Sequence, residues 1–593
     1  MARLTPLAKG LLTVTIIAVS GAAAWHLGLK DYASKAGFLG GAPGDSAASS
    51  GSGASGPGIA PGVEGGGATG AQSGPVGLSG TKGPGQGNAS ASGSSSRAGA
   101  AFGSSSDPLK VSIVSFHGYA PALVANGQSL KTKPGSIFDK KGLAVEFVIQ
   151  DDIPTLATIF TSKVAHCAWR TSDFWAQEQP NLRNAGLDGR AIMVVDNTQG
   201  ADAVIARDPA IKRVEDLAGR SIALLQYTPS HGMVLDAIEN SSLSSRKKTS
   251  VKYVYINADE GTAGVRAAFE SGQVDAAALW DPDLSLALRK VAGAHVVYST
   301  KTATNLIYDV IVCDKALLDD PARAPAFQKL VDGWFEGVVA AEANPDSAVE
   351  ALVKTEEFFS LLAKDEGRDF VKSLFGSLVW TGLEDNARIL GLSGGTNHYA
   401  RVYRQFDQIY RAAGALANPN SPVINPEDSF DDRFVRALIR ANPKAEQEAK
   451  VPEFSFTAEG RERAAQEAAT LTKPVTVNFS SGSSELTKRA QKTIDEDMVP
   501  LIENNGSAYF EVSGNTDSTG SRATNMRLSE ARANRVVDYL VAQWEFPRDR
   551  FRIVGNGPDK PLCNERDPKG DGLSLADCRA MNRTTRLAIL ARR

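Results

Sequence analysis

Near the carboxyl end of this chain an acid and a guanidinium are spaced to work together. In VSGNTDSTGSRATNMRLSEARANRVVDYL, 512–540, Gly514 and Gly520 bracket a turn that delivers Thr516 and Asp517 to the start of a helix. Along that helix Asn525 and Arg532 are seven residues apart, so both face the same way two turns removed. A pocket bordered by a carboxylate and a guanidinium suits a zwitterion: the acid takes an ammonium, and the arginine forks onto a carboxylate through paired hydrogen bonds. Taken singly, Asp517 would read as a helix cap and Arg532 as a surface arginine. The surrounding pattern decides between these readings.

That pattern resembles the OmpA-like peptidoglycan-binding family. VNFSSGSSEL is followed by a match to GxTDxxGxxxxNxxLSxxRAxxV at nearly every fixed position, then by GNGPDKP and MNRTTRLAIL. The resemblance implies an α+β domain over 474–593 whose Thr516, Asp517, Asn525 and Arg532 hold the free end of diaminopimelate in the wall's stem peptide, with Arg583 steadying the pocket. Asn515 stands where the family has histidine, and Thr584 where it has a second arginine. Neither change removes the acid or the guanidinium, so binding is expected to persist. Cys563 and Cys578 enclose a polar loop, and in an oxidising compartment a bridge closing about 15 residues contributes roughly 3 kcal/mol.

A second set of candidate residues lies in 108–450. Apolar runs (KVSIVSF, AVEFVI, AHCAW, AIMVVDN, ADAVIA, SIALLQ, VKYVYI, DAAALW and YDVIVCD) alternate with amphipathic segments, which predicts α/β layers with mostly parallel sheets. Ligands collect at the carboxyl ends of such strands. SFHGYAPAL, GADAVIARDPAIKRVEDLAGRSIAL and SGQVDAAALWDP are similar to segments of the nitrate, sulfonate and taurine type of solute-binding protein. The resemblance implies a bilobal periplasmic-binding-protein fold of type II and an ABC permease as a partner. By position it lines the pocket with Gly118, Tyr119, Trp169, Thr171 and Ser172 from one lobe, and with Tyr227, Ser230, His231, Trp280 and Asp281 from the other. Aromatic walls, hydroxyls and helix N-terminal amides suit a small anion. His166 stands where the family has an aspartate, which leaves the ligand class open. Trp169 and Trp280 also read as core aromatics. Cys167 and Cys313 fall in two strand candidates, either as a bridge between neighbours or as two buried thiols.

Other chemistry finds little support. The six histidines are scattered, the four cysteines lack CxxC spacing, and no metal or other cofactor is expected. SGGT at 393–396 is not followed by the lysine of a phosphate loop, and no acid/base pair or nucleophile elbow is present, so binding is expected and not catalysis. An enzyme built on the bilobal fold and a structural tether with a degenerate pocket are the alternatives. With 64 basic and 67 acidic residues, no polyelectrolyte character points to nucleic acid.

The elements that position these sites follow from composition. Residues 11–29 form an uncharged apolar run flanked by Arg3, Lys9 and Lys30, long enough to span a membrane at about 20 residues. The basic flank keeps the N-terminus inside and sends the rest to the periplasm. Ala22, Ala23 and Ala24 offer a signal cleavage site instead; Trp25 and Leu27 extend the run and favour an inner-membrane anchor over 1–37. Residues 38–107 hold 21 of the 56 glycines and cannot bury a core. This linker has a coil span of about 45 Å. A second linker is expected at 451–473, before a strand at 476–479.

Overall fold

In the computed structural model the apolar runs become two α/β lobes, and a third sheet follows them in the chain. The structure describes residues 101–592 apart from 157, 160, 161, 417, 478 and 481. The apolar run 11–29, and the Gly/Ser-rich linker up to residue 100, lie outside the described residues. Among the described residues no helix is long and apolar enough to cross a membrane.

The first lobe opens with β1 (Leu109–Ile113), β2 (Val145–Ile149), β3 (Cys167–Thr171) and β4 (Gly189–Thr198). The second holds β5 (Asp202–Ala206), β6 (Ser221–Leu225), β7 (Lys252–Ile256), β8 (Ala276–Trp280) and β9 (His295–Ser299). The chain then returns to the first lobe with β10 (Tyr308–Asp314) and β11 (Leu378–Trp380). The strand orders are β11-β4-β10-β3-β1-β2 and β7-β6-β8-β5-β9. Each apolar run singled out in the sequence is a strand. β9 escaped the pattern because it is a half-exposed edge, and β11 because it is three residues held by pairing to β4.

The sheets are mixed, which corrects the expectation of mostly parallel ones. β1 runs parallel to β2 and β3, and β6 to β7 and β8. β5 and β10 run antiparallel to both their neighbours. Each enters its lobe directly from the other one, at the carboxyl ends of the parallel strands, and so must run against them. Cys167 and Cys313 face each other across β3 and β10 and are bridged, which settles that alternative.

In the third sheet, β12 (Leu471–Val475), β13 (Tyr509–Asn515), β14 (Phe551–Gly557) and β15 (Thr585–Leu590) take the order β12-β15-β13-β14. The first strand lies ahead of the expected 476–479 and includes Pro474. Proline is tolerated because β12 is an edge that pairs only with β15. The long helix Arg522–Trp544 lies on β13 and β14, burying Val536, Val537 and Leu540 against Phe510 and Val512. Gly514 permits this close approach. It sits inside β13, and a Cβ there would stand 2.0 Å from the Ser529 carbonyl oxygen. Gly520, at φ +94°, is the true turn glycine.

This third domain is bonded to both lobes. On the second lobe Val214 N donates to Thr470 O at 3.0 Å and Thr472 N to Glu215 Oε1 at 2.9 Å. On the helix His398–Ala412, which packs against the first lobe's Ser172–Asn184, Arg401 pairs with Glu503 at 2.8 Å. Gly514→Ala is expected to destabilise the third domain by about 1–3 kcal/mol through overpacking against the helix. Faster amide exchange at 509–515, with lobe exchange unchanged, is the check.

Candidate functional sites

The acid and the guanidinium are positioned from three directions. The end of β13 presents Thr516 and Asp517, both buried. Asp517 accepts from Thr519 N at 3.0 Å and from Arg583 Nη1 at 2.5 Å, so the residue ahead of β15 steadies it with an ion pair. Asn525 donates Nδ2 to the Thr519 carbonyl at 2.9 Å and closes the turn onto its helix. Two turns on, Arg532 is half-buried, its guanidinium carbon 4.9 Å from the centre of the Phe479 ring. It donates to the carbonyls of Ser483 (3.1 Å) and Ser480 (3.4 Å), and among the described residues no carboxylate pairs with it. Burial pulls its pKa down from the usual guanidinium value. The charge is therefore desolvated on one side and unneutralised.

The two departures from the family pattern are absorbed locally. Asn515 Nδ2 donates to the Thr584 carbonyl at 3.1 Å, and its Oδ1 accepts from Asn556. Thr584 turns its hydroxyl back to the Met581 carbonyl. Sequence reasoning missed Glu565. It accepts from Ser518 N (3.1 Å) and Ser518 Oγ (2.7 Å) beside Asp517, and from Asn582. Glu565 lies in the loop closed by the Cys563–Cys578 disulfide, so the bridge holds the brace of the Asp517 turn.

The second site is a cavity of about 250 Å³ between the lobes. The carboxyl ends of strands supply its wall. Ser115 and Phe116 follow β1, Asp151 follows β2, Trp169 and Thr171 lie in β3, Tyr227 and Thr228 follow β6, Glu260 follows β7, Trp280 ends β8 and Asp281 follows it. Of the expected residues, Trp169, Thr171, Tyr227, Trp280 and Asp281 reach the wall. The others form a layer behind it. Tyr119 donates its hydroxyl to Asp309 Oδ2 at 2.9 Å, and Ser230 donates to Asp202 Oδ1 at 2.9 Å. His231 Nδ1 accepts from Tyr227 N at 3.0 Å. Ser172 Oγ accepts from Tyr308 N at 3.4 Å, and Gly118 leaves room for the Asp196 carboxyl.

The wall is rich in acids. Asp151, Asp202, Glu260, Asp281, Asp283 and Asp309 line it, and no lysine, arginine or histidine does among the described residues. Asp283 is offset by Arg266 at 2.8 Å. Arg170, one residue beyond the wall, is spent on Glu178 and on backbone carbonyls. Asp202 and Asp309 carried a readable signal, a carboxylate set inside an apolar strand run. Burial, and then neighbouring acids, push Asp202 up to about 8. Burial also raises Asp309 and Asp196, whose charges oppose each other.

Residues 478–572 match the OmpA family, and residues 136–348 match the family described as NMT1/THI5 like. The carboxy-terminal domain is an OmpA family domain. This domain is 35% identical over 101 residues to a peptidoglycan-associated lipoprotein of Pseudomonas putida, a match covering 17% of this chain and 59% of that protein. Ahead of the OmpA domain, the chain is 38% identical over 165 residues to a protein of Escherichia coli (strain K12) described provisionally as an aliphatic sulfonates-binding protein, covering 28% of this chain and 45% of that protein. The chain thus spans about half the length of these relatives. The crystal structure of the periplasmic aliphatic sulphonate binding protein from Escherichia coli aligns over 55% of this chain and 97% of its own, at 16% identity and a TM-score of 0.42.

Two outcomes follow. A buried carboxyl with a raised pKa favours the folded state only while protonated, so its contribution is full below about pH 4 and is lost as pH rises toward 8. Asp202→Asn should therefore gain melting temperature over the wild type progressively across that window, in paired melts from pH 4 to 8. Replacing Cys563 and Cys578 by serine should cost about 3 kcal/mol of OmpA-domain stability in calorimetry.

Proposed function

We propose that this protein is a cell-envelope solute receptor held at the wall. The OmpA domain grips the diaminopimelate end of a stem peptide non-covalently, and the interlobe cleft captures a small solute at that place. In this reading Asp517, already steadied by Arg583, accepts the ligand's ammonium, and Arg532 forks onto its carboxylate. The observation that carries it is Arg532: a half-buried guanidinium stacked on Phe479, with no carboxylate paired to it among the described residues, is a cost that an incoming carboxylate offsets. Thr516 and Asn525 shape the turn. The run 11–29 serves as the inner-membrane anchor, with the Gly/Ser-rich segment giving reach to the wall. Binding suffices for this role and no catalytic step is invoked.

Co-sedimentation of the full-length protein with purified sacculi tests the wall site. Asp517→Ala and Arg532→Ala should each weaken retention by at least roughly tenfold, the usual result of truncating one partner of a desolvated charge pair. Equal retention of both variants and the wild type overturns the reading.

A further inference from the structure

Resting on the reading of the cleft as a solute site, we infer that its ligand is an organic ammonium ion and not an anion. Two independent features of the wall converge on this. The first is charge. Asp151, Asp202, Glu260, Asp281 and Asp309 line the cavity without an ion pair among the described residues, and no cationic side chain joins them. An anion entering there finds carboxyl groups on both lobes and no cationic partner among the described residues, and any ionised carboxyl repels it strongly at that short range and low dielectric.

The second feature is the aromatic lining. Trp169 and Phe174 face the cavity from the first lobe, Tyr227 and Trp280 from the second. The Phe174 ring already carries the Arg170 guanidinium at 5.7 Å, and the remaining aromatic rings of the wall offer a desolvated cation their quadrupoles, with the acids supplying net charge. The hydrogen-bonding inventory agrees. Asp281 Oδ1 is committed to Ser285, and Asp202 Oδ1 to Ser230. Thr198, a residue of the wall that is 2% exposed, has no hydrogen-bond partner for its Oγ1 among the described residues, which leaves that oxygen to a ligand N–H. Burial first, and then Asp309, Asp173 and Asp281, raise the pKa of Asp202, and a cation seated beside it would favour its ionised form.

The test is thermal shift and calorimetry on the full-length protein at constant ionic strength. Tetramethylammonium, choline and putrescine are compared with methanesulfonate and nitrate, using sodium and chloride as counter-ions. Saturable stabilisation by an ammonium probe, with the anions silent, is the expected result. Asp202→Asn should raise the melting temperature of the empty protein and yet weaken ammonium binding by about tenfold or more. Trp280→Ala should weaken it comparably through the lost ring face. Should either variant fold poorly, competition of choline against putrescine on the wild type shows whether they share one site. Stabilisation by methanesulfonate or nitrate alone overturns the ligand class and leaves the solute receptor standing. Silence toward every probe overturns both. Ammonium binding untouched by both substitutions puts the ion outside the cleft and also overturns the inference.

Discussion

Residues 300–307 carry the chain from the second lobe back to the first, and the same segment receives the OmpA domain. Asn305 donates its backbone N–H to Asn504 O at 2.9 Å and its side-chain amide to Glu503 O at 2.8 Å. Ser507 donates to the Lys301 carbonyl at 2.9 Å. At its start Thr300 Oγ1 accepts from Gly200 N at 2.9 Å, tying this crossing to the outward one at 199–201. The cleft and the OmpA domain therefore share one piece of backbone, and the arrangement of each depends on it.

The joint is polar, and many of its groups are bonded to one another, although Arg401 Nη2 and Asp236 Oδ2 are buried without a hydrogen-bond partner among the described residues. Arg401 pairs with Glu503 and also donates to the Pro500 carbonyl and to Asn504. Asn504 in turn donates to Gln405 at 2.9 Å, and Gln405 donates to Asp236 on the second lobe. Such a buried pair is worth having only when the remaining donors and acceptors find partners. A swing of one lobe against the other must break either these bonds or those of Glu215 with Thr472, so the domain resists free hinge motion.

Within the cleft the crossing strands also explain the electrostatics. β5 and β10 enter their lobes at the cavity, which sets Asp202 at the first residue of one and Asp309 at the second residue of the other. Tyr119 and Ser230 hold these carboxyls from behind, so two helical segments position the acids of the wall. The bridge between Cys167 and Cys313 joins β3 to β10 in the same sheet.

Sequence alone determined the local and the periodic. The turn and helix spacing of Asp517, Asn525 and Arg532, the strand runs β1 to β8 and β10, and the loop between Cys563 and Cys578 were all legible, because each follows from backbone period and side-chain type within one short stretch. Tertiary structure decided what depends on distant residues meeting. It showed Gly514 to be a packing glycine under Ser529, brought Arg583 to Asp517, and set Tyr119, Ser230 and His231 behind the cavity wall. It also gathered six acids from five separate stretches onto one surface. The physical reason is that charge and close packing act through space, while sequence reports only neighbours along the chain.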